Sequence, residues 1–530
     1  MKKKQLLIAL AATAVLFTSS CKRTEIPVAE TGNTYKSKPQ MTVANPVLSH
    51  TRNLTVAYLI PTDLDTVANF RSRIDGVLTW IQNYYAQELD RNGYGPKTFG
   101  LVKDSVTQLV QISVIRSAQS KTNFNAGTGV SEVNNFYATN PGLKQSQHVL
   151  ILLPPFSTNA NGEPAGGNPF YGAGKYCYAL DYAGLNIANI GTDPFTMWIG
   201  GTAHELAHAL NSSHNRESVS QKSSLGTSLM GYGNYTLGKT PTYISAVDAA
   251  IFNNNEVFND NNSTYYGSVS TTIPKIYASY SAAQGAILCS GKFTSTGTVD
   301  KILYYNDPNV NNEGTGVNKD YNAITWASSK IGTDSFSVVM PISDFWVKTD
   351  GIPYELKVKF VHTNGTITEH IYYYTFQGGI PVVNFGYRPE LSKTGWTIDG
   401  FSTQETSGTN GYAANILDNN SSTVWHSRWT SSPTGTFPHY ISINLGSNKT
   451  ATGVAIQHPS GSSRAIKNFE ILTSTDGVNF TSRGSFTTIK TNSKQYFAFG
   501  SSLTFKYLKI VANTSWDGTQ YAAIAELGLY

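Results

Sequence analysis

Apolar positions fall into distinct regimes along the chain. From residue 51 to about 265, short apolar runs are mixed with longer stretches of helical spacing. "NLTVAYLIP" reads as a strand. "VANFRSRIDGVLTWIQNYYAQELDRNGYG" carries apolar residues three and four apart and ends in glycine, which predicts one long helix with a stop signal. "TFGLV", "VQISVI" and "HVLILLPP" predict further strands. In "GTDPFTMWIGGTAHELAHAL", Asp193 as N-cap and Pro194 at the first helical position predict a helix over 194–210. "YISAVDAAIF", with Ser245 as N-cap and Asp248 three residues on, predicts another. Past "NNNEVFNDNNSTYYGS" the helical spacing vanishes. "KIYASYS", "AILCSGKF", "KILYY", "SFSVVMPI", "YELKVKFVH" and "EHIYYYTF" are alternating runs parted by Gly, Asn and Asp, the pattern of an antiparallel sandwich. From about residue 391 a second all-β stretch follows, with Asp476-Gly477 as a hairpin turn. The fold class is therefore multidomain. An α+β domain over 51–268 precedes two all-β sandwich (jelly-roll) domains over 269–388 and 389–530, the first of them with no chemistry of its own and so a spacer.

Composition adds a compartment. A length of 530 residues exceeds what one core supports, and charged residues make up only 14% while Gly, Ser, Thr and Asn abound, a balance typical of secreted proteins. "MKKKQLLIALAATAVLFTSSCKR" has a basic start, an apolar run too short to span a bilayer, and small residues before Cys21. It resembles a bacterial lipoprotein signal over 1–21, with Thr18 where that signal favours Leu. The resemblance implies a lipidated Cys21, with the protein anchored at the cell envelope, at the outer membrane or cell surface. Residues 22–50, polar and dotted with proline, suit a flexible tether. Cys177 and Cys289 remain, in different predicted domains, which argues against a disulfide between them. The net charge of +5 is spread thinly and no long basic run follows Lys4, so nucleic acid is not an expected partner.

The densest chemistry lies in "GGTAHELAHALNSSHN", residues 200–215. On a helix, His204 and His208 leave the same face one turn apart and can converge on one ion, with Glu205 beside it as a general base for water. If the helix ran on, His214 would face away, so the chain must reverse at Asn211, the non-glycine residue that best tolerates a left-handed turn. Three imidazoles plus water form a catalytic zinc set with one open position. By composition such a triad arises at random in roughly one chain of this size in ten thousand.

"HELAHALNSSH" resembles the metzincin zinc-peptidase signature, with Asn211 replacing its usual glycine. The resemblance implies a Met-turn beneath the metal, for which "SLMGYG" supplies Met230. It also implies a tyrosine two residues later, Tyr232, that ligates zinc or hydrogen-bonds the oxyanion. An edge strand for substrate is implied as well, with "YCYALDYAGLN" the candidate. Asn215 after the third histidine matches none of the well-known subfamilies. A thermolysin-like arrangement would instead take a downstream carboxylate, Glu217 being nearest. "AANILDNNSSTVWHS", "INLG", "STDGVNF" and "AELGLY" resemble the F5/8 type C (discoidin) domain, a jelly roll also used to bind carbohydrate. That implies a structural calcium at Asp418, Thr423 and Glu526, and a glycan site at His426, Arg464 and Trp516.

The expectation is a secreted, lipid-anchored zinc endopeptidase acting on protein or glycoprotein, with glycans bound by its C-terminal domain. The alternative is a glycan-binding adhesin whose peptidase domain is inactive. Zinc-dependent hydrolysis of a non-peptide bond stays open on ligands alone.

Overall fold

The computed structural model describes residues 50–530 apart from 166, 194, 311–319, 387, 389, 431–434, 462–463, 489, 491 and 493. Cys21, the tether through residue 49, and Pro194 lie outside the described residues.

The first body is a five-stranded sheet with helices on both faces, a mainly parallel α/β layering in place of the expected α+β one. Its strands are β1 (Thr55–Ile60), β2 (Ser113–Arg116), β3 (Val149–Leu153), β4 (Gly172–Ala173) and β5 (Tyr176–Leu180), in the order β2-β1-β3-β5-β4. All pairs are parallel except β4 with β5. The strands read as continuous apolar runs because both faces are covered. Val56, Tyr58, Leu150 and Leu152 point into one core, while Ala57, Leu59, Ile151 and Leu153 point into the other.

Helix α1 (Phe70–Arg91) buries Ile74, Val77, Leu78, Ile81, Tyr85 and Leu89, one stripe at helical spacing. It stops at Gly93, whose φ of 83° lets Tyr94 N–H reach the Leu89 carbonyl at 3.0 Å. Helix α2 (Ala126–Thr139) was not expected from the sequence, because Gly127, Gly129 and two asparagines weaken its signal. Its place on the sheet requires Gly129, where a Cβ would press on the Tyr178 hydroxyl. "TFGLV" is not a strand. Its backbone is satisfied instead by scattered partners: Gly100 O accepts from Leu54 N–H, Gly100 N–H donates to Val257 O, and Phe99 O accepts from Gln82 Nε2.

Helix α3 (Phe195–Ala209) carries the histidine-rich segment. Asp193, expected as its N-cap, pairs with Lys239. Helices α4 (Val219–Ser224) and α5 (Ala246–Asn253) follow, α5 capped by Ser245 Oγ on Asp248 N–H at 3.3 Å.

The middle body stacks two antiparallel sheets around Ile302, Tyr304, Phe336, Val358 and Phe360. One has five strands, including Val299–Pro308, Ile324–Ser329 and Tyr354–His362; the other has four. Cys289 is buried in this core and Cys177 in that of the first body, both as free thiols. Leu303, Tyr305, Ala323 and Val361, from the middle body, belong to the core that contains α1 and α3. The C-terminal body is a third antiparallel assembly. Its long strands His439–Gln457 and Gln495–Ala512 pair centrally over Trp425, Ile441 and Phe469.

Candidate functional site

Helix α3 buries Ile199, Ala203, Leu206 and Ala207, which leaves His204 and His208 projecting together from the flank. At its end Asn211 N–H donates to His208 O at 2.9 Å and Ser212 N–H to Ala207 O at 3.0 Å, with Asn211 at φ 78°. This is the Schellman reversal, with asparagine in the left-handed place. The chain turns back and brings His214 Nε2 to 3.0 Å from His208 Nε2. One nitrogen from each of His204, His208 and His214 lies within 4.8 Å of the other two.

The tautomers follow from the partners. His204 Nδ1 lies 2.7 Å from Leu229 O, and His208 Nδ1 lies 2.9 Å from Ser212 O. A carbonyl only accepts, so each Nδ1 carries the proton and each Nε2 lone pair faces the shared space. Burial holds both rings neutral, pushing His204 down to about 3 and lowering His208 as well. Neutral, converging, oriented imidazoles fit a zinc ion.

Glu205 opens into the same cavity, about 530 Å³ in volume, whose walls include Phe170, Tyr171, Gly172, His208 and His214. Burial pushes its carboxyl up to about 8, against a backbone hydrogen bond from Gly172. Gly172 is required by contact, since a Cβ there would overlap the His208 side chain. That close approach seats β4 beside α3. The expected edge, the segment beginning at Tyr176, is flanked on both sides by β3 and β4, so the edge strand is β4 instead. A left-handed Gly174, φ 62°, makes this extra hairpin turn.

Met230 is fully buried, and its carbonyl accepts from Asn215 N–H, next to His214, at 3.3 Å. Asn215 is a structural tie that the sequence did not disclose. Its Oδ1 accepts from Ser228 Oγ at 2.6 Å and its Nδ2 donates to both oxygens of Asp248 at 3.0 and 2.9 Å. Asp248 also accepts from Ser245 Oγ at 2.6 Å and from Ser212 Oγ. One buried carboxylate on α5 thus gathers the segment on either side of His214. Glu217 accepts from Ser228 N–H at 3.2 Å and pairs with Lys222, and it is not among the clustered ligands.

Tyr232 is 45% exposed and is not part of the cavity wall. The backbone turns at Tyr232 into the short 3-10 segment Gly233–Tyr235, which carries the ring outward. The wall instead holds Tyr171 and, from the middle body, Tyr321, whose ring stacks on His214 with centroids 3.5 Å apart and planes 22° apart. Nothing local in the sequence marks it, because the contact joins segments far apart in the chain.

In the C-terminal body His426 and Arg464 come together, with Nη1 of the arginine 3.4 Å from Nε2 of the histidine. The guanidinium lies 5.2 Å from the Trp429 ring centre and 5.0 Å from that of Tyr521. These groups border a cavity of about 480 Å³ lined by His426, Trp429, Gly461 and Arg464. Trp516 lies elsewhere, because its Nε1 donates to Thr488 Oγ1 at 3.0 Å and Lys467 sits over its ring. The aromatic residue of this site is Trp429. Its loop is fixed by Glu405, which accepts from the N–H groups of Trp429 and Thr430 at 2.8 and 2.9 Å.

The residues expected to hold calcium do not fit it. Asp418 accepts from Asn420 N–H at 2.8 Å and Thr423 Oγ1 at 2.7 Å on its own turn, and its carboxyl also meets that of Glu526. Glu526 is paired with Lys393, whose ammonium also donates to Ile416 O at 3.2 Å. Calcium needs six to eight oxygens, and the lysine already holds one of the carboxylates that would have to supply them.

Residues 401–527 match the F5/8 type C domain. A sialidase from Micromonospora viridifaciens is 30% identical over 141 residues, a match that covers 26% of this chain and only 21% of that enzyme. The structure of catalytically inactive OgpA from Akkermansia muciniphila, in complex with an O-glycopeptide substrate, superposes with a TM-score of 0.59 and 27% identity, covering 65% of this chain and 99% of that one. Wild-type OgpA superposes with a TM-score of 0.57 and 29% identity, over 62% of this chain and 96% of that one.

Proposed function

We propose that the protein is a zinc endopeptidase that hydrolyses glycosylated protein, held at the bacterial cell envelope by a lipid on Cys21 and docked on glycans by its C-terminal domain. The observation that carries this reading is the convergence of one nitrogen from each of His204, His208 and His214 within 4.8 Å of one another, beside a cavity lined by Glu205, His208 and His214. The likeness to OgpA, an O-glycopeptide-binding protein along nearly its whole length, supports the substrate class.

Zinc held by three imidazoles supplies a Lewis acid that polarises a carbonyl and makes water a stronger acid. Glu205 takes the proton of the attacking water and returns it to the departing amine. As the last strand of its sheet, β4 offers an outer backbone edge to an extended peptide, directly beside α3. In the C-terminal body, Arg464 offers donors to sugar hydroxyls, His426 offers Nε2 as an acceptor because its Nδ1 proton faces Ser427 O, and Trp429 offers a ring face.

The adhesin reading requires a catalytic side chain to be missing or displaced. All four are present, the three histidines clustered and Glu205 on the cavity beside them, which favours the enzyme. The test is incubation of the full chain with a mucin-type glycoprotein and with the same protein stripped of O-glycans. Only the glycosylated form is expected to be cut, with loss of cutting on chelation and recovery with zinc. Glu205→Ala should retain zinc and lose at least about a hundredfold in rate. Equal cutting of both substrates would remove the glycan requirement, and no chelator-sensitive cutting of either would leave the adhesin.

A further inference from the structure

We propose that Tyr321 is a positioning residue for His214, so that the middle body is part of the zinc site and not a spacer; this rests on the zinc reading above. His204 and His208 are held by a helix, whereas His214 stands on a loop after it. A loop ligand needs outside support to keep its ring aimed. The middle body grips that loop on both sides of the histidine. Lys359 Nζ donates to Ser213 Oγ at 3.2 Å. Beyond the histidine, Arg216 N–H donates to Ala323 O at 2.8 Å, its guanidinium lies 4.7 Å from the Trp346 ring centre, and Trp346 Nε1 donates to Glu217 O at 2.7 Å. Between these grips the Tyr321 ring lies against the imidazole, nearly parallel to it.

The arm that presents Tyr321 is itself built from buried charge. Asp320 sits at φ 65°, a conformation unfavourable for a side chain with a Cβ, and is held there from three directions. Its carboxylate accepts from Lys357 Nζ at 2.5 Å and lies 3.6 Å from Lys359 Nζ, its N–H donates to Asp307 Oδ2 at 3.3 Å, and its carbonyl accepts from Ala323 N–H at 2.9 Å. Lys359 therefore touches both the arm and the histidine loop. A flat ring stacked on an imidazole limits its rotation about χ2 while leaving both ring nitrogens available to other partners. The stacking face, not the phenol hydroxyl, is the feature that matters.

The test is zinc affinity of the full chain, measured by competition with a chromophoric chelator, which reads binding without requiring turnover. Tyr321→Ala and Tyr321→Leu are expected to weaken zinc by about tenfold, the size of effect usual for residues that orient ligands, while Tyr321→Phe binds as the parent does. The leucine variant fills the space without a flat face, so a loss shared by both variants is not a packing defect. Parent-like affinity in the alanine or leucine variant would overturn the proposal, as would a phenylalanine variant as weak as alanine. A parent chain that binds no zinc at all would instead overturn the peptidase reading.

Discussion

At Asn211 a residue with a Cβ occupies the left-handed conformation that turns His214 back toward α3. Replacing it separates the backbone requirement from the side chain. Asn211→Ala is expected to cost about 1–2 kcal/mol, because alanine pays the left-handed penalty without asparagine's local compensation. Asn211→Gly should come within about 1 kcal/mol of the parent, since glycine meets the φ requirement but adds freedom to the unfolded chain. Urea unfolding midpoints check the order, and an alanine variant as stable as the glycine one would contradict it. Asn211, the two helical histidines and Glu205 were legible in the sequence because helix geometry and a single turn relate them. Asn215 was not, since its role depends on Ser228 and Asp248, which arrive from later segments.

Strands of the middle and C-terminal bodies hold buried charges whose consequences are measurable. On the strand Val299–Pro308, burial and the neighbouring Asp320 push the Asp307 carboxyl up to about 7. The folded chain then keeps a proton that the unfolded chain releases near pH 4, so the unfolded state binds fewer protons between about pH 4 and 7. Stability from this group is complete below that window and declines as pH rises through it, with a slope of up to about 1.4 kcal/mol per pH unit. Asp307→Asn should flatten that slope in denaturant titrations at stepped pH. At the final strand, Glu526–Leu529, the Lys393 ammonium on Glu526 predicts that calcium and its chelation leave the melting temperature of the metal-free C-terminal body unchanged. A calcium-dependent rise of several degrees in the parent would show that the lysine yields the site to the ion. The resemblance placed Asp418, Thr423 and Glu526 together, but did not disclose the ammonium from residue 393 that pairs with Glu526.

Across the whole molecule, glycan docking and the histidine cluster belong to different bodies, so their losses should differ in kind. Trp429→Ala is expected to abolish retention on immobilised mucin-type glycans and to slow cutting of dense glycoprotein, while a short glycopeptide is cut at the parent rate. Trp516→Ala should behave as the parent in glycan retention, because that indole is engaged with Thr488 and Lys467 away from the cavity. Equal effects of the two variants would mean the glycan surface lies elsewhere. What the chain disclosed unaided is what periodicity and short spacing carry: a body of mixed helices and strands ahead of two sandwiches, the span of α3, and the three imidazoles with their glutamate. Those relations act within a few residues, where helix pitch and turn chemistry determine which side chains meet. Only the tertiary structure decided that β4 is the edge, that Tyr321 replaces Tyr232 at the cavity, that Trp429 replaces Trp516, and that Lys393 stands where calcium was expected. Each of those depends on contacts between segments remote in sequence, which are selected by the packing of whole bodies rather than by any local preference.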